Sequence, residues 1–207
     1  MGGSEVNPKY KLPYQALFYV SQLTSFINFL PPHQPCLNGG GCGLCGGTIV
    51  NKRFVITAAH CLFQGSTAVT TSNGLLRVAI GEHSICDGIT NEGGKFIKVK
   101  TATVHPSYTF PQNDIAVLEV RDKVITTTHP IQLEEDITFT TNIQPACLPT
   151  SATKDYSGKA STISGWGGTV GYAGGAQQPQ QPRQCGLKES VVEVSNLHFT
   201  LHPLLRC

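Results

Sequence analysis

The stretch "GTIVNKRFVITAAHC", Gly47 to Cys61, sets the architecture. Two runs rich in β-branched residues, "GTIV" (Gly47 to Val50) and "RFVIT" (Arg53 to Thr57), flank the short turn pair "NK". β-branched side chains pack well on a pleated surface and Asn favours turns, so the stretch reads as strand, turn, strand. The pattern then breaks into two alanines, a histidine and a cysteine, which read as one helical turn over Ala58 to Leu62. His60 beside Cys61 poses a chemical choice. An imidazole that titrates near neutrality shuttles protons, and an imidazole next to a thiol also holds metal ions.

Strand signals continue outward from this stretch. "LLRVAI" (Leu75 to Ile80) follows it. In "KFIKVKTATV" (Lys95 to Val104), Ile97 and Val99 alternate with Lys98 and Lys100, the period of a half-buried strand. "IAVLEV" (Ile115 to Val120) is an apolar run cut by Glu119, and "LKESVVEV" (Leu187 to Val194) alternates again. Helical periodicity is otherwise absent, so the expected class is all-β. "PPHQPCLNGGGCG" (Pro31 to Gly43) and "GYAGGAQQPQQPRQ" (Gly171 to Gln184) are dominated by turn formers and read as irregular loops.

Composition narrows the setting. The chain has 207 residues, a length that one all-β unit of ~200–250 residues accommodates. Charged residues are 14% and the net charge is +2, with no run of Lys or Arg, which points away from nucleic acid and from anionic membranes. The apolar stretch Tyr14 to Leu30 is interrupted by Gln, Ser, Thr and Asn and is too short and polar to span a bilayer. Eight cysteines fit disulfides in an oxidising compartment. The opening "MGGSEVNPKYK" has no apolar core, so a signal peptide for an extracellular protein is expected outside this sequence.

A second candidate for proton chemistry is Asp114 in "NDIAVL", where an apolar strand holds a carboxylate at its leading edge. Acyl transfer needs a base beside a nucleophile and a carboxylate that fixes the tautomer of the base. The words "CGGTIV" (Cys45 to Val50), "VITAAHC", "GEHS" (Gly81 to Ser84), "VHPSY" (Val104 to Tyr108), "NDIAVL" (Asn113 to Leu118), "QPACLP" (Gln144 to Pro149) and "ISGWGGT" (Ile163 to Thr169) occur in that order. Together they resemble the trypsin/chymotrypsin-like serine proteases. The resemblance runs from "GGSEV" near the start to about Val194.

That resemblance implies two antiparallel β-barrels with the active site in the cleft between them, the first over about residues 1–150 and the second, cut short, over about 151–207. It implies that His60 is the general base, that Asp114 orients it, and that Cys45 and Cys61 form a disulfide beside it. No cofactor or metal is expected. Protein or peptide substrates and proteinaceous inhibitors are the implied partners. The departures are as informative. No "GDSGG" segment and no G-x-S-x-G word occurs, so the nucleophile is not among these residues and the chain is expected to be inactive. Met1 stands where the family has the valine of Ile-Val-Gly-Gly. The segments Val20 to Gln34 and Val120 to Gln132 interrupt the family pattern and start and end as translated introns would, the tail from Val194 starts as one would, and genuine loop insertion is the alternative.

Two other classes stay open. A catalytically dead homologue would act as a binding or regulatory protein. A zinc module would use His33, Cys36, Cys42 and Cys45 around "CGLC". Glu82 and Glu92 could bracket a calcium loop, although a solvated loop is the simpler reading. His83, His105, His129, His198 and His202 read as surface or loop histidines, and Trp166 as a packing residue of the second barrel.

Overall fold

The computed structural model describes residues 3–20, 44–64, 67–69, 71, 76–85, 93–125, 132–151, 155–166, 185–194 and 205–206. Its elements follow in chain order: β1 (Ser4–Glu5), β2 (Gln15–Val20), β3 (Leu44–Ile49), β4 (Phe54–Thr57), a 3-10 turn (Ala59–Leu62), β5 (Phe63–Gln64), β6 (Thr67–Ala68) and β7 (Leu76–Ile80). After these come β8 (Lys95–Val104), β9 (Ala116–Ile125), β10 (Gln132–Glu135), β11 (Ala146–Cys147), β12 (Ala160–Gly165), β13 (Lys188–Glu193) and β14 (Leu205–Arg206). Among the described residues no helix is long and apolar enough to cross a membrane.

Antiparallel pairings run β9-β4-β3-β2-β7-β8, and β8 returns to β9, so six strands close into a barrel. β10 extends this sheet beyond the ring by pairing with the far end of β9. Closure leaves no free edge in the ring, and the inward side chains form one core. Ala16, Phe18, Ile49, Val55, Val78, Ile80, Ile97, Val99, Leu118 and Val120 all contribute to it. Ile97 and Val99 are buried while Lys98 and Lys100 are exposed, as the alternation predicted.

β2 was not legible as a strand because both of its faces are covered. Ala16 and Phe18 enter the barrel core, whereas Leu17 points outward and joins Ala79 and Ile85 against Trp166. Burial on two sides removes the polar alternation that marks an amphipathic strand.

The second sheet has the order β1-β13-β12. β1 pairs Ser4 with Glu189 and Glu5 with Lys188, so the first described strand of the chain belongs to this sheet and not to the ring. Trp166 packs against both the outer face of β2 and β7 and the cluster of Val6, Leu12 and Leu187. Ser164 Oγ donates to Gln15 Oε1 at 2.7 Å and ties β12 to β2.

Two expectations need extending here. β9 does not stop at Val120 but runs on to Ile125, and β10 begins at Gln132, so hairpin pairing occupies both ends of the interrupting segment. The loops 31–43 and 171–184, and nearly all of the segment from Val20 to Gln34, lie outside the described residues.

Candidate active site

His60 is presented by the way β4 ends. Thr57 closes the strand, Ala58 stays extended (φ −80°, ψ 145°), and the chain then tightens into the 3-10 turn. Ala59 and Leu62 sink into the barrel core, which turns His60 outward. The side chain of His60 is 52% exposed. Alanines suit positions 58 and 59 because the turn lies flush on the barrel end, where a larger side chain would have to displace the core. Two links fix this turn to β3. Thr57 Oγ1 donates to the Gly46 carbonyl at 2.8 Å, and Cys45 is disulfide-bonded to Cys61 with a Cα–Cα separation of 6.2 Å.

Asp114 is set by the loop joining β8 to β9. The loop closes where Val104 pairs with Ala116 and where His105 N–H donates to the Ile115 carbonyl at 3.0 Å. Asn113 sits in the left-handed region (φ 55°), and its Nδ2 donates to the Ser107 carbonyl at 2.8 Å. Asn is among the few L residues that adopt this conformation readily. The tight bend continues with Ile115 N–H donating to the Asn113 carbonyl at 2.8 Å, so Asp114 is held at its apex.

The two residues meet through two bonds. His60 N–H donates to Asp114 Oδ1 at 2.8 Å, and His60 Nδ1 lies 2.7 Å from Asp114 Oδ2. An ionised carboxylate only accepts, so this geometry places a proton on Nδ1 and leaves the Nε2 lone pair free. Desolvation pushes the Asp114 carboxyl up, but the hydrogen bonds from the His60 side chain and backbone, its charge and the Ala59 N–H together outweigh it and hold the pKa below the usual value. The Asp114 charge also reaches Tyr108, whose hydroxyl is pushed up by desolvation and then by that carboxylate. Phe110, 69% exposed, stands edge-on to the His60 ring at 6.3 Å between centroids. The arrangement holds an exposed imidazole in one tautomer, with Nε2 unprotonated and an apolar ring beside it.

Of the predicted residues, the structure brings His60, Asp114, Cys45 and Cys61 into one place at the end of the barrel. Cys45 is spent in its disulfide and offers no thiolate to a zinc site around "CGLC". His33, Cys36 and Cys42 lie outside the described residues. Cys147 and Cys185 are also disulfide-bonded.

His83 is not a surface histidine. It is 2% exposed, its Nε2 lies 3.0 Å from Glu5 Oε1, and its carbonyl accepts Trp166 Nε1–H at 3.0 Å. The N-terminal segment, Trp166 and Leu187 converge on it from distant parts of the chain. Glu82 is likewise buried, at 4% exposed, not in a solvated loop, and Glu92 lies outside the described residues. Sequence reading missed three positioning residues. Thr57 had no signal beyond its place at the strand end. Asn113 could have been found as a turn former directly before the carboxylate, and Phe110 as an aromatic in the same loop.

A closed barrel presents the His60–Asp114 couple at its end, and comparison with known proteins gives the chain a family. The Trypsin family model matches residues 1–190. The chain is 34% identical over 141 residues to Trypsin-2 of Salmo salar, covering 67% of this chain and 49% of that protein. It is 31% identical over 127 residues to Venom serine protease 34 of Apis mellifera, covering 61% of this chain and 28% of the relative. A solved structure described as "Structure of GrC" superposes with a TM-score of 0.63 at 24% identity, over 94% of this chain and 65% of that one, and shows the same fold. The chain therefore belongs to the trypsin family of serine proteases. It spans half or less of the length of these two curated relatives.

Proposed function

We propose that the protein is a secreted serine-type endopeptidase in which His60 is the general base and Asp114 the residue that orients it, and that these 207 residues lack its nucleophile. The observation that carries this reading is the pair of hydrogen bonds from His60 to Asp114, at 2.8 and 2.7 Å, which puts the ring proton on Nδ1 and leaves Nε2 as the unprotonated nitrogen of an exposed imidazole. In the reaction, Nε2 takes the proton of the attacking serine and returns it to the leaving amine, while Asp114 steadies the imidazolium. The substrate class is a protein or peptide chain, and the removal of the nucleophile from such a triad costs on the order of 10⁶ in rate. Extracellular location follows the disulfides and the family.

The test is direct. The 207-residue chain neither hydrolyses a peptide amide nor reacts with a fluorophosphonate, whereas a transcript continuing beyond Val194 into a "GDSGG" segment yields a protein that does both. Labelling of the 207-residue chain itself would reveal a nucleophile among its own residues and overturn the reading. An inert extended protein that still folds cooperatively would instead establish a non-catalytic homologue.

A further inference from the structure

The imidazole beside a cysteine has a second use in this fold. Cys45 Sγ, Cys61 Sγ and a His60 ring nitrogen all lie within 4.8 Å of one another. His60 Nε2 stands 3.5 Å from Cys61 Sγ. A tetrahedral zinc ion, with Zn–N of about 2.0 Å and Zn–S of about 2.3 Å, sets its nitrogen and sulfur ligands about 3.5 Å apart. Histidines that bind zinc almost always donate their other ring N–H to a carboxylate, a backbone carbonyl or water, which fixes the tautomer and raises ligand basicity. Asp114 Oδ2 already fills that role at Nδ1, 2.7 Å away.

The geometry points to a latent soft-metal site, Cys45–His60–Cys61, that is closed while the two cysteines are bridged and opens when the bridge is reduced. A thiol reductant supplies two electrons and two protons. The Cys45–Cys61 bond breaks, two thiols form, and the reductant ends as its own disulfide. A zinc ion then displaces the two thiol protons, takes both thiolates and Nε2, and leaves one position for water. Reduction does not scatter the ligands, because the two segments are held together without the bridge. Thr57 Oγ1 binds the Gly46 carbonyl at 2.8 Å, Thr48 pairs with Ile56, and His60 N–H stays on Asp114. If His60 is the base proposed above, the metal occupies the nitrogen the reaction needs, and the bridge becomes a redox-controlled lock on the site. The metal site itself does not depend on that reading.

Cobalt serves as the probe, because thiolate-to-cobalt charge transfer reports sulfur ligation independently of activity. The full chain is reduced anaerobically with a phosphine, which delivers the same two electrons and ends as phosphine oxide while water supplies its oxygen and the two thiol protons, and is then titrated with Co²⁺. Because the chain has eight cysteines, the result is read as a difference between proteins. We expect one more thiolate-bound equivalent in the wild type than in the Cys45→Ser/Cys61→Ser variant. His60→Ala, which keeps every cysteine, weakens that equivalent at least tenfold, and the unreduced chain lacks it. Equal stoichiometry in the double variant, or binding indifferent to His60→Ala, overturns the proposal. The second result also covers a reduced chain that unfolds and binds metal through scattered thiols.

Discussion

Asn113 shows how much one residue's backbone conformation decides. At φ 55° it turns the chain so that Asp114 faces His60, and its side chain ties the bend to Ser107. Asn113→Ala keeps a Cβ at this left-handed φ without the short polar side chain that makes the conformation accessible to asparagine, a conformational cost of at most about 1–2 kcal/mol, and also removes the side-chain bond. Asn113→Gly loses only that bond, so the thermal midpoint should fall further for alanine than for glycine. Asp114→Asn tests the carboxylate itself. A folded-state pKa held below the ordinary value stabilises the protein above the unfolded carboxylate range, and this contribution is lost as pH falls through the folded value. Melting curves of wild type and Asp114→Asn should therefore differ most near neutrality and converge in acid. In the extended peptidase proposed above, the same substitution should lower kcat on the order of 10⁴-fold with the fold intact, because the amide selects the wrong imidazole tautomer.

At the scale of elements, the barrel strands carry most of the stability. Leu118 is fully buried at the centre of β9, between β4 and β8. Leu118→Ala should cost about 2–5 kcal/mol, read as a lower denaturant midpoint at unchanged slope. The bridge from β3 to the 3-10 turn spans 16 residues, and replacing both cysteines by alanine should cost about 3 kcal/mol in the unreduced protein, a difference that disappears when both proteins are compared reduced. How much of this was legible follows from what each element touches. β8 and β13 announce themselves because each leaves side chains in water, and "KFIKVKTATV" states its two faces outright, whereas β4 and β7 are legible through their β-branched residues. β2 is silent because Leu17 and Phe18 are buried on opposite sides. β12, "ASTISG", is short and polar, and its place comes from β13 and not from its own composition. The His–Asp pair was readable as words in order. The burial of His83 was not, because the groups that cover it lie far away in sequence.

At the scale of the molecule, the barrel and the second sheet meet through few but specific contacts. Trp166 fills the space between Leu17 and Leu187, and Ser164 reaches Gln15 across the join. Trp166→Ala should loosen the second sheet while leaving the ring closed. Limited proteolysis would then cut first in residues 155–194, and amide exchange in β3, β4 and β9 would stay slow. Gly3 adds a second check, because a Cβ there would lie 2.9 Å from the Glu189 backbone carbonyl oxygen. Gly3→Ala should loosen the N-terminal segment and expose it to protease, and an unchanged cleavage pattern would show that β1 contributes little to holding the sheet.

The pairing of Ser4 with Glu189 also bears on how the protein is made. A ribosome delivers β1 before any strand of the barrel, yet its partner strand emerges only after the entire barrel has been translated. The ring, drawn from residues 15–125, can close while synthesis continues. The opening segment must wait unpaired through all of that time, and it is the late arrival of β13 that captures it. The order in which the molecule is built therefore differs from the order in which it is written.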